Sequence, residues 1–239
     1  MIDALVMFIS EPLAHSFMQR ALMSALFIGL VCSIFSCFLV LKGWSLMGDA
    51  VSHAVLPGLA IAYVFHISLA IGAFCSGLLC SLATGFLKEN SRVKEDAVMG
   101  IVFSGLFGLG LVLLTRIETD VHLLHVLFGN ILGITQADFI ESGIVAVLCS
   151  LIMVIKRRDL MLFCFDSMYA HVIGLRVQWM HFALLILLAL TIVSSLKAAG
   201  IILVIAMLIA PGAIGFLLAT SFDRMMIIAM VSSVFSCFF

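Results

Sequence analysis

The residues with chemistry to offer are a carboxylate and an imidazole set in an apolar stretch, Gly48-Asp49-Ala50-Val51-Ser52-His53-Ala54-Val55-Leu56-Pro57-Gly58. Four residues apart on a helix, Asp49 and His53 share one face with Cβ atoms roughly 6 Å apart, close enough to hold one divalent cation. Pro57 has no N–H for the carbonyl four residues back, that of His53, so a kink with a freed backbone oxygen is expected beside the imidazole. Oxygen plus imidazole donors suit Mn2+, Fe2+ or Zn2+, whereas the lack of thiolate donors argues against copper(I). Two donors do not complete a shell; the His53 carbonyl, water or a second copy of the chain would supply the rest. The competing interpretation is structural, with Asp49 as a helix cap, His53 a hydrogen-bonded core residue and Pro57 a packing kink. An aspartate at the centre of a membrane helix costs about 2.5–3.5 kcal/mol on insertion scales, which favours a functional role.

The surroundings of this pair set the class of protein. Of 239 residues, 64% are hydrophobic, only 10% are charged and 20 are Phe; mean hydropathy is +1.33. A soluble domain carries about 25% charged residues, so the chain reads as an all-α polytopic membrane protein with no nucleic-acid surface. Seven cysteines (Cys32, Cys37, Cys75, Cys80, Cys149, Cys164, Cys237) are scattered without a Cys-x-x-Cys pair, and read as small buried hydrophobes. The first 20 residues include Asp3, Glu11, Pro12, His15 and Arg20. They lack the pattern of a cleaved signal peptide and read as an external amphipathic lead-in, followed by a transmembrane domain over 21–239.

About eight spans are expected, near 21–41, from the Asp49/His53/Pro57 stretch to about 65, 67–87, 97–115, 140–155, 179–196, 200–219 and from Met225 onward, sized against a hydrocarbon core of roughly 30 Å. The seventh is expected to break at Pro211-Gly212. The segment 123–137 is apolar but short and holds Gly129, Asn130, Gly133 and Gln136; a re-entrant helix shielded by protein fits it better than a span. Residues 159–178 read as a loop. Positive charges then orient the chain. Lys42, Lys88, Arg92, Lys94, Lys156, Arg157, Arg158, Arg176 and Arg224 fall on one side, the cytoplasmic one, leaving Arg20, Arg116 and Lys197 opposite. This alternation requires that 123–137 does not cross, and it places the amino terminus outside with an acidic outer surface.

No phosphate-binding loop, nucleophile elbow or zinc-protease helix is present, so no catalytic residues are assigned and transport is the natural function. His122 and His125, at i and i+3 beside Glu118 and Asp120, form a candidate external landing site for a cation, set against the plainer alternative of a solvated rim. His15, His66, His171 and His181 fall near expected span ends, where an amphipathic ring is comfortable. In the cytoplasmic stretch Phe165–Leu175, Asp166 is a good helix N-cap, Ala170 a small residue one turn in, and Gly174 a left-handed C-cap. A short surface helix follows, whose small face around Ala170 suits docking.

Two separated motifs together resemble the permease subunits of the manganese, zinc and iron ABC importers. Lys42 to Gly58 is similar to that family's Ser-Leu-Met-Gly-Asp-Ala and Ser-His-Ala-Val-Leu-Pro-Gly segment, and Asp166, Ala170, Gly174 and Leu175 are similar to its coupling-helix motif. Weaker matches are Phe17 to Leu22, Leu127 to Asn130, and Gly200 to Val204 leading to Pro211. The resemblance implies a type II ABC importer permease fold, with a coupling helix at about 166–176 that seats in a separate cytoplasmic ATP-binding subunit. It further implies a second permease copy, an external metal-binding protein and a bacterial inner-membrane location. Asp49 and His53 would contact the metal, which is cargo and not a permanently bound cofactor. The Ala-Val-Leu-Pro-Gly ending resembles manganese and iron members more than zinc ones. The family's pattern continues past Cys237-Phe238-Phe239, so the carboxyl-terminal end is expected to be short. The alternatives are a gradient-driven metal transporter and a non-transporting shortened permease.

Overall fold

Apolar runs punctuated by short charged or glycine-containing turns give helices, and in the computed structural model residues 15–44, 46–116, 129 and 133–238 are described. Among them the chain forms helices and no strand: α1 (Ser16–Lys42), α2 (Met47–Val64), α3 (Leu69–Asn90), α4 (Glu95–Arg116), α5 (Gln136–Ile155), α6 (Arg157–Phe165), α7 (Ser167–Val172), α8 (Val177–Leu218) and α9 (Phe222–Phe238). Among the described residues seven segments are long and apolar enough to cross a membrane: they lie in α1 to α5 and in the two parts of α8, Val177–Leu196 and Ala198–Leu218. Helix α9 has 17 residues and is shorter.

Helix α1 is the hub, with Phe35, Phe38 and Leu39 fully buried against α5, α8 and α9. Lipid is as apolar as these side chains, so burial alone does not hold the bundle together; close backbone approach and interhelical hydrogen bonds do. Helix α2, which carries the Asp49–His53 pair, shows this on both flanks. Gly58 lies against Gly72 of α3 so closely that a Cβ on either would overlap the other's carbonyl, and Ser76 Oγ donates to Ala54 O at 2.5 Å. On the other flank a Cβ at Gly110 of α4 would stand 2.8–2.9 Å from Leu56 and Pro57.

Several boundaries differ from those expected. Helix α1 begins at Ser16, inside the stretch assigned to the lead-in, because no breaker separates Ser16 from Ala21. Helix α5 starts at Gln136, where Thr135 Oγ1 accepts from the Asp138 N–H. The re-entrant segment expected over 123–137 falls outside the described residues apart from Gly129 and 133–137. Most of the expected loop at 159–178 is helical, since Leu160, Phe163 and Cys164 fall on one side of α6 and are buried. Nor does the chain break at Pro211. It reverses at Gly200 (φ 73°, ψ 168°), in a region of backbone space reserved for glycine. Both ends of α8 therefore lie at the Lys42 end of α1, where Trp44 meets His181 and Leu41 lines a cavity with Phe216, Ala219 and Phe222. At Pro211 the helix runs on, and Ser36 of α1 bonds its backbone on either side of the proline: the Gly212 N–H donates to Ser36 Oγ (2.8 Å), which donates to Ile209 O (3.2 Å).

Candidate functional site

Asp49 lies in the first turn of helix α2, two residues after Met47, and His53 about one turn further on, so the pair lies between the helix start and Pro57. His53 Nε2 is 3.3 Å from Asp49 Oδ1, and the two side chains are 29% and 34% exposed. Helix α4 supplies the wall: the imidazole centroid is 5.5 Å from the ring of Phe103 and 5.3 Å from that of Phe107, the latter edge-on. At 1.5 Å per residue, Phe103 and Phe107 lie about 12 and 18 Å along a helix about 33 Å long, which puts His53 near mid-depth. The other ring nitrogen, Nδ1, is buried and has no hydrogen-bond partner among the described residues. An orphaned buried nitrogen is uncommon in a packed interior.

The open edge of the pair, Asp49 Oδ1 and His53 Nε2, is the one a cation would occupy. A cation there would require the deprotonated carboxylate and the neutral ring. Among the described residues no group of three or more His, Cys, Asp or Glu side chains converges; the pair stands as two donors, as its spacing suggested. His122 and His125 lie outside the described residues. Local sequence gave no sign of Phe103 and Phe107, although their i, i+4 spacing on an apolar helix, three residues before Gly110, is the pattern of a face turned toward α2.

The second element is α7. Asp166 is its N-cap, with the carboxylate accepting from the N–H groups of Met168 and Tyr169, both at 2.9 Å. At the other end Gly174 takes φ +90°, with its N–H bonded to His171 O and that of Leu175 to Ala170 O. These two bonds close the helix as a Schellman motif. Ala170 departs from expectation: it is fully buried against the chain itself, so the small face is the inner one. The outward face is large and apolar, with Met168 81% and Val172 82% exposed beside Phe165, Tyr169 and Ile173. His181 also differs from the expected interfacial ring, packing edge-on against Trp44 at 5.2 Å and near Phe163 at 6.4 Å. Cys32, Cys37, Cys80, Cys149 and Cys164 are buried as read, whereas Cys75 is exposed.

A many-span helical bundle with a carboxylate–imidazole pair whose imidazole lies near mid-depth, and a capped helix at one end, has the architecture of a membrane permease. The profile of the ABC 3 transport family matches residues 14–239, and the chain belongs to that family. It is 60% identical over 229 residues to the chelated iron transport system membrane protein YfeD of Yersinia pestis, covering 96% of this chain and 77% of that protein. It is 54% identical over 227 residues to the manganese transport system membrane protein MntB of a Synechocystis species, covering 95% and 74%. Among solved structures, PsaBC from Streptococcus pneumoniae in complex with Fab superposes with a TM-score of 0.84 at 35% identity, covering 97% of this chain and 84% of that one.

Proposed function

We propose that the chain is the membrane permease subunit of an ATP-driven importer that carries a divalent cation, Mn2+ or Fe2+ ahead of Zn2+, across the bacterial cytoplasmic membrane. The observation that carries the proposal is the Asp49–His53 pair, partly open near mid-depth, in a chain 60% and 54% identical to a chelated iron and a manganese transport protein. The metal is cargo, and a sparse donor set suits cargo: a transit site must bind well enough to load and weakly enough to unload. Zinc outranks manganese and iron(II) in intrinsic affinity for N/O donors, so the preference arises from geometry and delivery. A second permease copy completes the path, an external metal-binding protein loads the acidic outer face near His122 and His125, and a separate ATPase subunit seats on α7 through Met168, Tyr169 and Val172. The excess of cations at the loops after α1, α3 and α5 puts those loops in the cytoplasm and the amino terminus outside.

The test is radiolabelled Mn2+ uptake, with Fe2+ and Zn2+ as competitors, in cells expressing the chain with its ATPase and binding protein. Asp49→Ala and His53→Ala, compared at matched membrane abundance, are expected to lose uptake while keeping the ATPase bound. Unchanged uptake in both would mean that the ion path runs elsewhere. Uptake that survives depletion of ATP while ion gradients persist would favour a gradient-driven transporter.

A further inference from the structure

We propose that Lys42 is a positioning residue, a latch that fastens the coupling segment α6–α7 to the turn leading from α1 into the helix that carries Asp49 and His53, so that movement of α7 reaches the metal pair. The inference rests on the assignment of α7 as the ATPase-docking helix. It starts from a backbone requirement: the last carbonyls of a helix have no partner within it. At the end of α6, Leu162 O accepts from the Asp166 N–H at 2.9 Å. Phe163 O is taken by Lys42 Nζ at 3.3 Å, from a residue 121 positions away at the end of α1. The ammonium also sits 4.2 Å from the centroid of the Phe163 ring and 5.8 Å from that of Trp44.

A cation at a helix carboxyl end complements the helix dipole, and over an aromatic face it gains further attraction. Phe163 and Trp44 are each only 2% exposed, so the contact is largely shielded from water. The Trp44 indole N–H has no hydrogen-bond partner among the described residues; the polar attachment between this turn and α6 therefore runs through Lys42. Cys164 adds no competing charge, because burial pushes its thiol up to about 12 against a smaller opposing effect of Lys42.

The connection is short and bonded in both directions. Toward the ATPase, Phe163 is three residues before Asp166, which caps α7. Toward the metal pair, the N–H groups of Gly43 and Trp44 bond back to Val40 O and Leu39 O, and the Trp44 carbonyl accepts from the N–H of Met47, the first residue of α2. Asp49 follows two residues later. A displacement of α7 therefore moves Phe163, and through Lys42 the turn that sets where α2 begins. Without the ammonium, α6 rests on the end of α1 through apolar contacts, which can slide.

The test uses the whole transporter in proteoliposomes, this chain with its ATPase and binding protein, and compares wild type with Lys42→Met, Lys42→Arg and Phe163→Leu. Three quantities are read: ATPase association, ATP hydrolysed, and Mn2+ moved per ATP. Lys42→Met is expected to keep association and hydrolysis while Mn2+ moved per ATP falls about tenfold, the factor for one lost charge-assisted hydrogen bond. Lys42→Arg keeps a cation at the helix end and is expected to stay within about threefold of wild type. If Lys42→Met does not accumulate, Phe163→Leu decides, since it removes the ring and keeps the carbonyl; its ratio is expected to fall about threefold. A ratio that stays at the wild-type value, even if uptake and hydrolysis drop together, overturns the latch. A wild-type chain that neither binds the ATPase nor moves Mn2+ overturns the proposed function, and is recognised without any variant.

Discussion

The metal pair and the α7 segment are built on opposite principles. Around Asp49 and His53 the packing is tight but a polar group is left wanting: His53 Nδ1 has no partner among the described residues, while the Asp49 carboxylate pairs with the imidazole at 3.3 Å. In α7 both helix ends are closed, by Asp166 at one and Gly174 at the other, while Met168 and Val172 project almost bare. Unsatisfied polar atoms inside a bundle invite a small polar ligand. Exposed apolar side chains on a rigid helix invite a protein surface, because a capped helix loses little entropy on docking. On the proposed function, the first region would be filled transiently and the second covered.

The contrast breaks most sharply at the pair. Asp49→Ala or His53→Ala removes one of two donors, and loss of Mn2+ uptake of about a hundredfold is expected, the scale set by altered metal sites elsewhere. Co-purification of the ATPase should be unaffected. A variant that lost the ATPase as well would show that the two regions are one structural unit. At α7 the expected effect is smaller. Gly174 holds φ +90° with open space where a Cβ would be, so a substitution there acts through the backbone alone. Gly174→Val should weaken ATPase association about tenfold, in line with 1–2 kcal/mol for a left-handed residue. Gly174→Asn, which tolerates that conformation, should stay close to wild type. Equal losses for Val and Asn would mean that Gly174 is needed for contact and not for its shape. Asp166→Ala, which removes the bonds to Met168 and Tyr169, should fall between them at about 1 kcal/mol.

What could be read from the sequence divides along the same lines. Asp49 and His53, Asp166 and Gly174 all act through neighbours within four or five residues, and their roles follow from helical spacing or capping preference. Lys42 with Phe163 and Ser36 with Gly212 are partners 121 and 176 residues apart; no local pattern joins them. The run Lys156-Arg157-Arg158-Asp159 masked the start of α6, because charge suggested a loop while Leu160, Phe163 and Cys164 already carried helical spacing. Pro211 drew attention as the breaker, yet a neighbouring hydroxyl satisfied the backbone there and the reversal fell at Gly200. A proline announces a missing donor but does not say whether the helix will break there.

The walls of the pair offer a finer cut. Phe103 and Phe107 keep other ligands away from His53, and the apolar shell around a metal site controls solvent access to it. Phe107→Ala should admit water and let Zn2+ compete with Mn2+ about threefold better, with total uptake nearly kept. The measurement is the Zn2+ concentration that halves Mn2+ uptake. An unchanged value would assign discrimination to the delivering protein and not to this site.

The smallest effect should come at Ser36, and it bears on why one proline helix is site and the other scaffold. Pro57 and Pro211 each withhold a donor from the carbonyl four residues back. At Pro211 the disturbed backbone is answered inside the bundle, since Ser36 Oγ both accepts from Gly212 and donates to Ile209. Beside Pro57 the neighbours are the paired glycines Gly58 and Gly72, Gly110, and two phenylalanines around His53. If the Pro211 region is scaffold, Ser36→Ala should lower thermal stability in detergent by about 0.6 kcal/mol, the average for interhelical hydrogen bonds in membranes. Mn2+ uptake at matched abundance should not change. A Ser36→Ala variant that unfolded as before but lost uptake would place the Pro211 region on the ion path. The two proline helices would then be halves of one moving part.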